Sequence, residues 1–257
     1  VCDGESVVLT ATNASTYTWS GGISNGVSFT PPTSTTTTYT VTGTDGNGCV
    51  GTDVVDVISN AAPVVTLSAS PSAVCSGDAV VLTATGGSTY TWGPGVTSGA
   101  TGATQTVSPT TSTTYTVTGT DGTTNCTASA TETVVVNTLP GTPSPDPGNI
   151  TEYCLNDPSP SALVATASSM SHTLTWYDAS NNILSTAASR TPSTTTVGTT
   201  LYKVSQTDNT TGCESVPINV TVTVHDLPNV DAGSDVSVCD GATVVLTATN
   251  ASTYTWS

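Results

Sequence analysis

Val and Thr alternate along much of this chain, as in Val7-Val-Leu-Thr-Ala-Thr12, Thr38-Tyr-Thr-Val-Thr-Gly-Thr44 and Asn219-Val-Thr-Val-Thr-Val224. β-Branched and aromatic residues at period two fit half-buried strands, with Val turned to a core and Thr to water. Apolar positions at a helical period are absent. Gly, Pro, Asn, Asp and Ser gather between the alternating runs and mark turns. The pattern predicts an all-β protein.

The strands recur in a fixed order. Val7-Val-Leu-Thr-Ala-Thr12 with Ser15-Thr-Tyr-Thr-Trp19 returns at Val80–Thr85 with Ser88–Trp92, and again at Val244–Thr249 with Ser252–Trp256. A diverged copy carries Leu163-Val-Ala-Thr-Ala167 and Thr173-Leu-Thr-Trp176. A second block, Thr38-Tyr-Thr-Val-Thr-Gly-Thr-Asp45, is matched by Thr114–Asp121 and by Leu201–Asp208, each soon followed by a cysteine. Six or seven short strands per roughly 80 residues predict immunoglobulin-like β-sandwich domains in a linear array. The boundaries expected are 1–61 (first strand missing), 62–138, 139–225 (diverged) and 226–257, the N-terminal part of a fourth domain. Residues 1–20 and 238–257 differ only where Glu5-Ser6 becomes Ala242-Thr243, a shift of 237 residues. That match is closer than between adjacent domains, so a triplet of domains is the expected unit of duplication, within a longer parent protein.

Composition narrows the function. Lys and Arg number two, against 18 acidic residues, for a net charge of −16. Arg190 and Lys203 cannot build the basic surface that nucleic acid or anionic lipid requires. No apolar run of about 18 residues is present to insert into a membrane, and no signal peptide is seen. Seven cysteines without a Cys-x-x-Cys pair argue for disulfides in an oxidising compartment. The expected location is secreted, extracellular or on the cell surface.

The Cys…Val-Leu-Thr-Ala-Thr…Tyr-Thr-Trp…Thr-Tyr-Thr-Val-Thr-x-Thr-Asp…Cys pattern resembles the immunoglobulin-like and PKD-like repeats of giant Bacteroidota surface proteins. These include gliding-motility adhesins and other substrates of the type IX secretion system. The third domain, from Tyr153-Cys154 through Trp176-Tyr177-Asp178 to Gly212-Cys213-Glu214-Ser215, is especially similar. The resemblance spans the whole chain and implies export and a structural or adhesive role, with neighbouring copies in a fibre, surface glycans or other cells as partners.

Chemistry-bearing residues are few. Trp19, Trp92, Trp176 and Trp256 each fall on the third strand of a unit, where a core tryptophan packs between sheets; an aromatic platform for glycan is the functional alternative. Tyr39, Tyr115 and Tyr202 open the sixth strand, where a tyrosine corner bonds back to the chain. The turns at Asp45, Asp121 and Asp208 supply hairpin geometry. No catalytic residues are expected and no cofactor; His172 and His225 are far apart and near no cysteine pair, and the chain reads as a non-enzyme. If Ca²⁺ binds anywhere, Asp231 and Asp235 at the last joint are the candidates, although several alternating carboxylates are lacking. Lys203 is the only lysine, so a Lys–Asn isopeptide bond cannot recur in each domain.

Two cysteine connectivities stay open. Pairing within units gives Cys2–Cys49, Cys75–Cys126 and Cys154–Cys213, with Cys239 left over. In an immunoglobulin sandwich, however, Cys2 lies seven residues before Leu9 on the second strand, and Cys49 eight after Val41 on the sixth. These strands run parallel in opposite sheets, so the two cysteines fall toward opposite ends, beyond the roughly 7 Å Cα reach of a disulfide. Bonds between domains, Cys2–Cys126 and Cys75–Cys213, are favoured on that geometry. Cys154 would then reach into the next domain, and Cys49 would pair with the preceding one.

Overall fold

The computed structural model describes residues 1–97 and 99–257. It is all-β, and it divides into two compact units, Val1–Thr138 and Leu139–Ser257, each described by itself.

The first unit opens with strands β1 (Val7–Val8), β2 (Thr16–Trp19), β3 (Ser28–Phe29), β4 (Thr36–Thr44) and β5 (Val50–Ile58). β1 pairs with β3, and β2-β4-β5 form a facing sheet. Alternation does the work in β4, where Tyr39 and Val41 are buried and the intervening threonines are not. Next come β6 (Thr66–Ser70), β7 (Ala73–Cys75), β8 (Val80–Thr85), β9 (Thr89–Trp92), β10 (Thr104–Val107), β11 (Thr113–Thr120) and β12 (Thr127–Asn137). They form a complete sandwich of sheets β10-β8-β6 and β7-β12-β11-β9, antiparallel except for the β7–β12 pair. This strand order is that of an immunoglobulin-like domain. Val74, Val80, Leu82, Val107, Tyr115 and Val134 close its core.

The second unit holds β13 (Ser144–Pro145), β14 (Glu152–Cys154), β15 (Leu163–Thr166), β16 (His172–Tyr177), β17 (Ile183–Ser185), β18 (Ser189–Arg190), β19 (Gly198–Asp208) and β20 (Ile218–His225). Its sheets, β13-β15-β18 and β14-β20-β19-β16-β17, repeat the same topology with one added strand, β17. Tyr153, Leu163, Leu174, Trp176, Tyr202, Val204 and Val222 are among its core residues. After β20, residues 226–257 make a single bridge, Asp231 to Thr249.

Three tryptophans and one exception follow from this architecture. Trp19 and Trp176 are buried and Trp92 half-buried. Each indole donates into the stretch joining the third strand to the opposite sheet: to Asn25 Oδ1 at 3.2 Å, Ala187 O at 3.2 Å and Gly102 O at 2.9 Å. Trp256, expected in the core with the others, is instead 51 % exposed. Trp19 pairs with Val41 on β4 and Trp176 with Val204 on β19; residues 226–257 contain no such strand, so identical local sequence leaves Trp256 bare.

Two features of the second sheet were not legible beforehand. The Tyr17 hydroxyl accepts from Ala14 N at 2.6 Å and Tyr90 from Gly87 N at 3.0 Å, closing the turns that lead into β2 and β9, and Tyr254 accepts likewise from Ala251 N at 2.6 Å. Tyr17 and Tyr90 also lie opposite Gly43 and Gly119. A Cβ at Gly43 would come within 2.9 Å of Ala14 Cβ, and one at Gly119 within 2.6 Å of Val65 Cγ2. The third sandwich exchanges both members, pairing Leu174 with Gln206. Gln206 is fully buried; its carbonyl accepts from Ser168 N at 2.8 Å, and its amide donates to Ser168 Oγ at 2.6 Å and to Gly141 O. A large polar side chain is thereby satisfied where the other copies hold a bare backbone under a ring.

Candidate functional site

The chemistry of this chain is concentrated at the ends of its sandwiches. Cys2 forms a parallel bridge with Asn60, which follows β5, so it sits where the last strand leaves the first sandwich. Asp3 N donates to Asn60 O at 2.9 Å, and Asn60 N to Val1 O at 3.0 Å. Cys75 occupies the equivalent place opposite Asn137 at the end of β12, and Cys154 opposite His225 at the end of β20.

The other set of cysteines sits on turns between the last two strands. Asp45 N donates to Cys49 O at 3.0 Å, Asp121 N to Cys126 O at 2.9 Å and Asp208 N to Cys213 O at 2.9 Å. Each aspartate also braces its turn from within. The Asp121 carboxylate accepts from Thr124 N at 2.8 Å and Thr123 N at 2.9 Å, and these bonds, with one from the Thr124 hydroxyl, hold its pKa below the ordinary aspartate value. Bonds from Cys49 N and Asn47 N lower Asp45 in the same way, and bonds from Thr210 N and Thr211 N lower Asp208. The carboxylates are therefore occupied by backbone.

The structure joins Cys2 to Cys126, with Cα atoms 5.5 Å apart and 124 residues between them in sequence. The Cys126 sulfur is fully buried and lies 3.7 Å from the Asn60 carbonyl. Cys75 and Cys213 are each disulfide-bonded, and Cys49, Cys154 and Cys239 are exposed thiols. The intradomain alternatives Cys2–Cys49, Cys75–Cys126 and Cys154–Cys213 are thereby corrected. The reason is strand length: Cys2 adjoins Asn60 and Cys49 precedes Val50, so the nine residues of β5 separate them by about 30 Å.

The remaining candidates fall into place as scaffold. Tyr202 accepts a bond from Ser193 N at 3.2 Å, a tyrosine corner. Tyr39 instead packs edge-on to Phe29 with centroids 5.1 Å apart, and burial pushes the Tyr115 hydroxyl up in pKa. His172 lies 3.9 Å from Asp208 across the β16–β19 pair. His225 Nε2 lies 2.5 Å from the Glu152 carboxylate on the neighbouring strand, a contact that sequence distance conceals. Lys203 donates to Ala179 O at 3.0 Å and Asn181 Oδ1 at 2.8 Å. Asp231 accepts from Gly233 N at 2.8 Å, and among the described residues no group of three or more His, Cys, Asp or Glu side chains is placed to hold a metal, Asp235 included.

A cleft of about 670 Å³ opens in the first sandwich between residues 8–14 and 50–55, with Tyr17 and Trp19 in its wall. In the second sandwich β6 pairs with β8 and packs toward β12 at the corresponding place. No helix among the described residues is long and apolar enough to cross a membrane.

No family model matches the chain, and no curated protein matches it. Solved structures similar to it include fibronectin(III)-like modules of Clostridium thermocellum CbhA, at 14 % identity over 62 % of this chain and 94 % of that one, with a TM-score of 0.35. A Ca²⁺-stabilised, ice-binding adhesin of an Antarctic bacterium has 17 % identity over 77 % of this chain and 60 % of that one, with a TM-score of 0.36. A SusE-like surface-located polysaccharide-binding protein of Bacteroides thetaiotaomicron has 11 % identity over 74 % and 43 %, with a TM-score of 0.35. Likenesses this distant carry no weight for function, and the fold assignment rests on the strand order itself.

Proposed function

We propose that this chain is a structural segment of a long secreted surface filament or adhesin, built from immunoglobulin-like repeats whose joints are closed by disulfides. The repeats are 1–61, 62–138, 139–225 and 226–257. In each joint the cysteine at the exit end of one repeat bonds the turn cysteine of the next. The observation that carries this reading is the Cys2–Cys126 bond, which links the end of β5 to the β11–β12 turn. Cys75–Cys213 is the second bond of the series.

A staple at every joint suits a load-bearing array, because bending or pulling then works against covalent bonds as well as domain contacts. Disulfides of this kind need an oxidising compartment. Near-absence of Lys and Arg leaves an acidic surface with almost no tryptic sites. The sequence resemblance adds a Bacteroidota cell surface and type IX export to the proposal. Immunogold electron microscopy with antibodies against this chain tests it: label along extended surface filaments of the source cells is expected. Label confined to the cell interior would overturn it.

A further inference from the structure

We propose that the third sandwich closes an intramolecular ester between the Ser168 hydroxyl and the Gln206 side-chain amide, releasing ammonia, with His172 and Asp208 promoting the step. The bond lies within one sandwich, so it goes beyond the stapled-joint reading and does not depend on it.

The first support is a hydroxyl, an imidazole and a carboxylate in series. Ser168 Oγ lies 3.2 Å from His172 Nδ1, and His172 Nε2 lies 3.9 Å from Asp208 Oδ2. His172 pairs with Asp208 and Leu174 with Gln206 across β16 and β19, so period two sets all four side chains on one face of the sheet. The His172 side chain is 12 % exposed. Asp208 Oδ1 accepts from Thr210 N at 2.7 Å, while Oδ2 faces the imidazole. An imidazole beside a hydroxyl, backed by a carboxylate, is what turns a serine into a nucleophile.

The second support is the electrophile. Gln206 is fully buried, and one serine holds both ends of its amide: Oε1 accepts from Ser168 N at 2.8 Å, and Nε2 donates to Ser168 Oγ at 2.6 Å. The carbon between them, Cδ, is thereby kept against the hydroxyl. Ser168 N already bonds the oxygen that gains charge when Cδ is attacked, which is the role of an oxyanion-hole donor. Gly141 O also accepts from Nε2 and orients the leaving group. Burial of Gln206 shields the ester carbonyl from water.

The third support comes from the other sandwiches. Tyr17–Gly43 and Tyr90–Gly119 hold the places of Leu174–Gln206, and Ser15 and Ser88, two residues before each tyrosine, hold that of His172. Two residues join Thr12 to Ser15 and Thr85 to Ser88, but five join Thr166 to His172, and Ser168 is one of them. Nucleophile, base and electrophile thus enter together, whereas the turn aspartate is common to all three sandwiches. Ser168 follows β15 and Gln206 lies on β19, in opposite sheets. Antibody domains join these same two strands by a disulfide, so an ester here ties the sheets in a comparable way.

In the proposed step His172 Nδ1 takes the Ser168 hydroxyl proton as Oγ bonds to Cδ, and the carbonyl electron pair moves onto Oε1. When that pair returns, the Cδ–Nε2 bond breaks, and His172 gives the proton to Nε2, which leaves as ammonia. One C–O bond replaces one C–N bond, His172 ends neutral, and no oxidant or co-reactant is consumed.

Intact-mass spectrometry of the reduced whole chain, with chymotryptic peptide mapping, tests this. A mass below that of the sequence by one ammonia, about 17 Da, is expected, carried by a branched peptide that joins Ser168 to Gln206 and that hydroxylamine splits. Ser168→Ala and His172→Ala should each show the full mass, and Ser168→Thr, which keeps a hydroxyl, should retain the deficit. Asp208 touches no reacting atom and is a positioning residue. Asp208→Asn should slow the mass loss after refolding at least about tenfold, a rate that a merely structural role would not move. An unmodified wild type, a deficit carried by any other peptide, or a deficit that survives Ser168→Ala would overturn the proposal. So would Gln206 recovered as glutamate without a branched peptide, since water would then have taken the ester. The wild-type mass decides the matter even where a variant fails to fold.

Discussion

Replacing Cys2 and Cys126 together with Ala removes one cross-link and leaves every strand intact, so its cost can be worked from loop closure. The bond spans 124 residues, for which chain entropy gives about 5 kcal/mol at 25 °C. If the first sandwich stays folded, Cys2 remains beside Asn60, and the loop released is the 66-residue separation of Asn60 and Cys126. Because the dependence is logarithmic, the figure falls only to about 4 kcal/mol. The staple therefore protects the second sandwich nearly as well when it unfolds alone as when the whole unit unfolds. At a few degrees per kcal/mol for a unit of this size, the melting temperature should drop by roughly 10–20 °C. Scanning calorimetry of oxidised wild type, the double variant and each single variant measures it. The two singles should match the double, since either one breaks the bond. A loss below about 3 °C, or wild type insensitive to reductant, would refute the entropic account of the joint.

Other perturbations probe the sandwiches themselves. Trp176→Ala empties a fully buried indole site and should cost about 3–5 kcal/mol in denaturant titration. Gln206→Gly strips partners from Ser168 N and Gly141 O and should lose about 2 kcal/mol or more. Adding Leu174→Tyr to Gln206→Gly recreates the Tyr–Gly pairing of the other copies and should recover part of that loss; no recovery would break the link drawn between the two positions. Asp121 has a folded pKa lowered by bonds from Thr124 N and Thr123 N, so its stabilisation is complete above about pH 4 and is lost as pH falls through the folded value. Wild type should accordingly melt above Asp121→Asn at pH 7, and the difference should close in acid, as calorimetry across pH would register.

Fold was legible because its signals are local. Alternation at Val80–Thr85 and Thr113–Thr120 gives buried and exposed faces directly, and repetition of Trp and Tyr blocks gives strand order. Both cysteine frames were readable as well, since counting residues from Leu9 and Val41 places them at sandwich ends. What escaped depends on register across the sheet. Tyr17 covering Gly43, and its exchange for Leu174 with Gln206, is invisible until those residues are known to lie opposite one another. The contact of His225 with Glu152 is likewise invisible in sequence, where 73 residues part them, although strand pairing sets the two side by side.

Disulfide mapping bears most directly on the stapled array. Native protein, alkylated without reduction and digested with chymotrypsin, should yield one peptide pair joining Cys2 to Cys126 and another joining Cys75 to Cys213. Recovery of Cys2–Cys49 or Cys75–Cys126 instead would mean that each sandwich is closed on itself, and the joints would lose their covalent bonds.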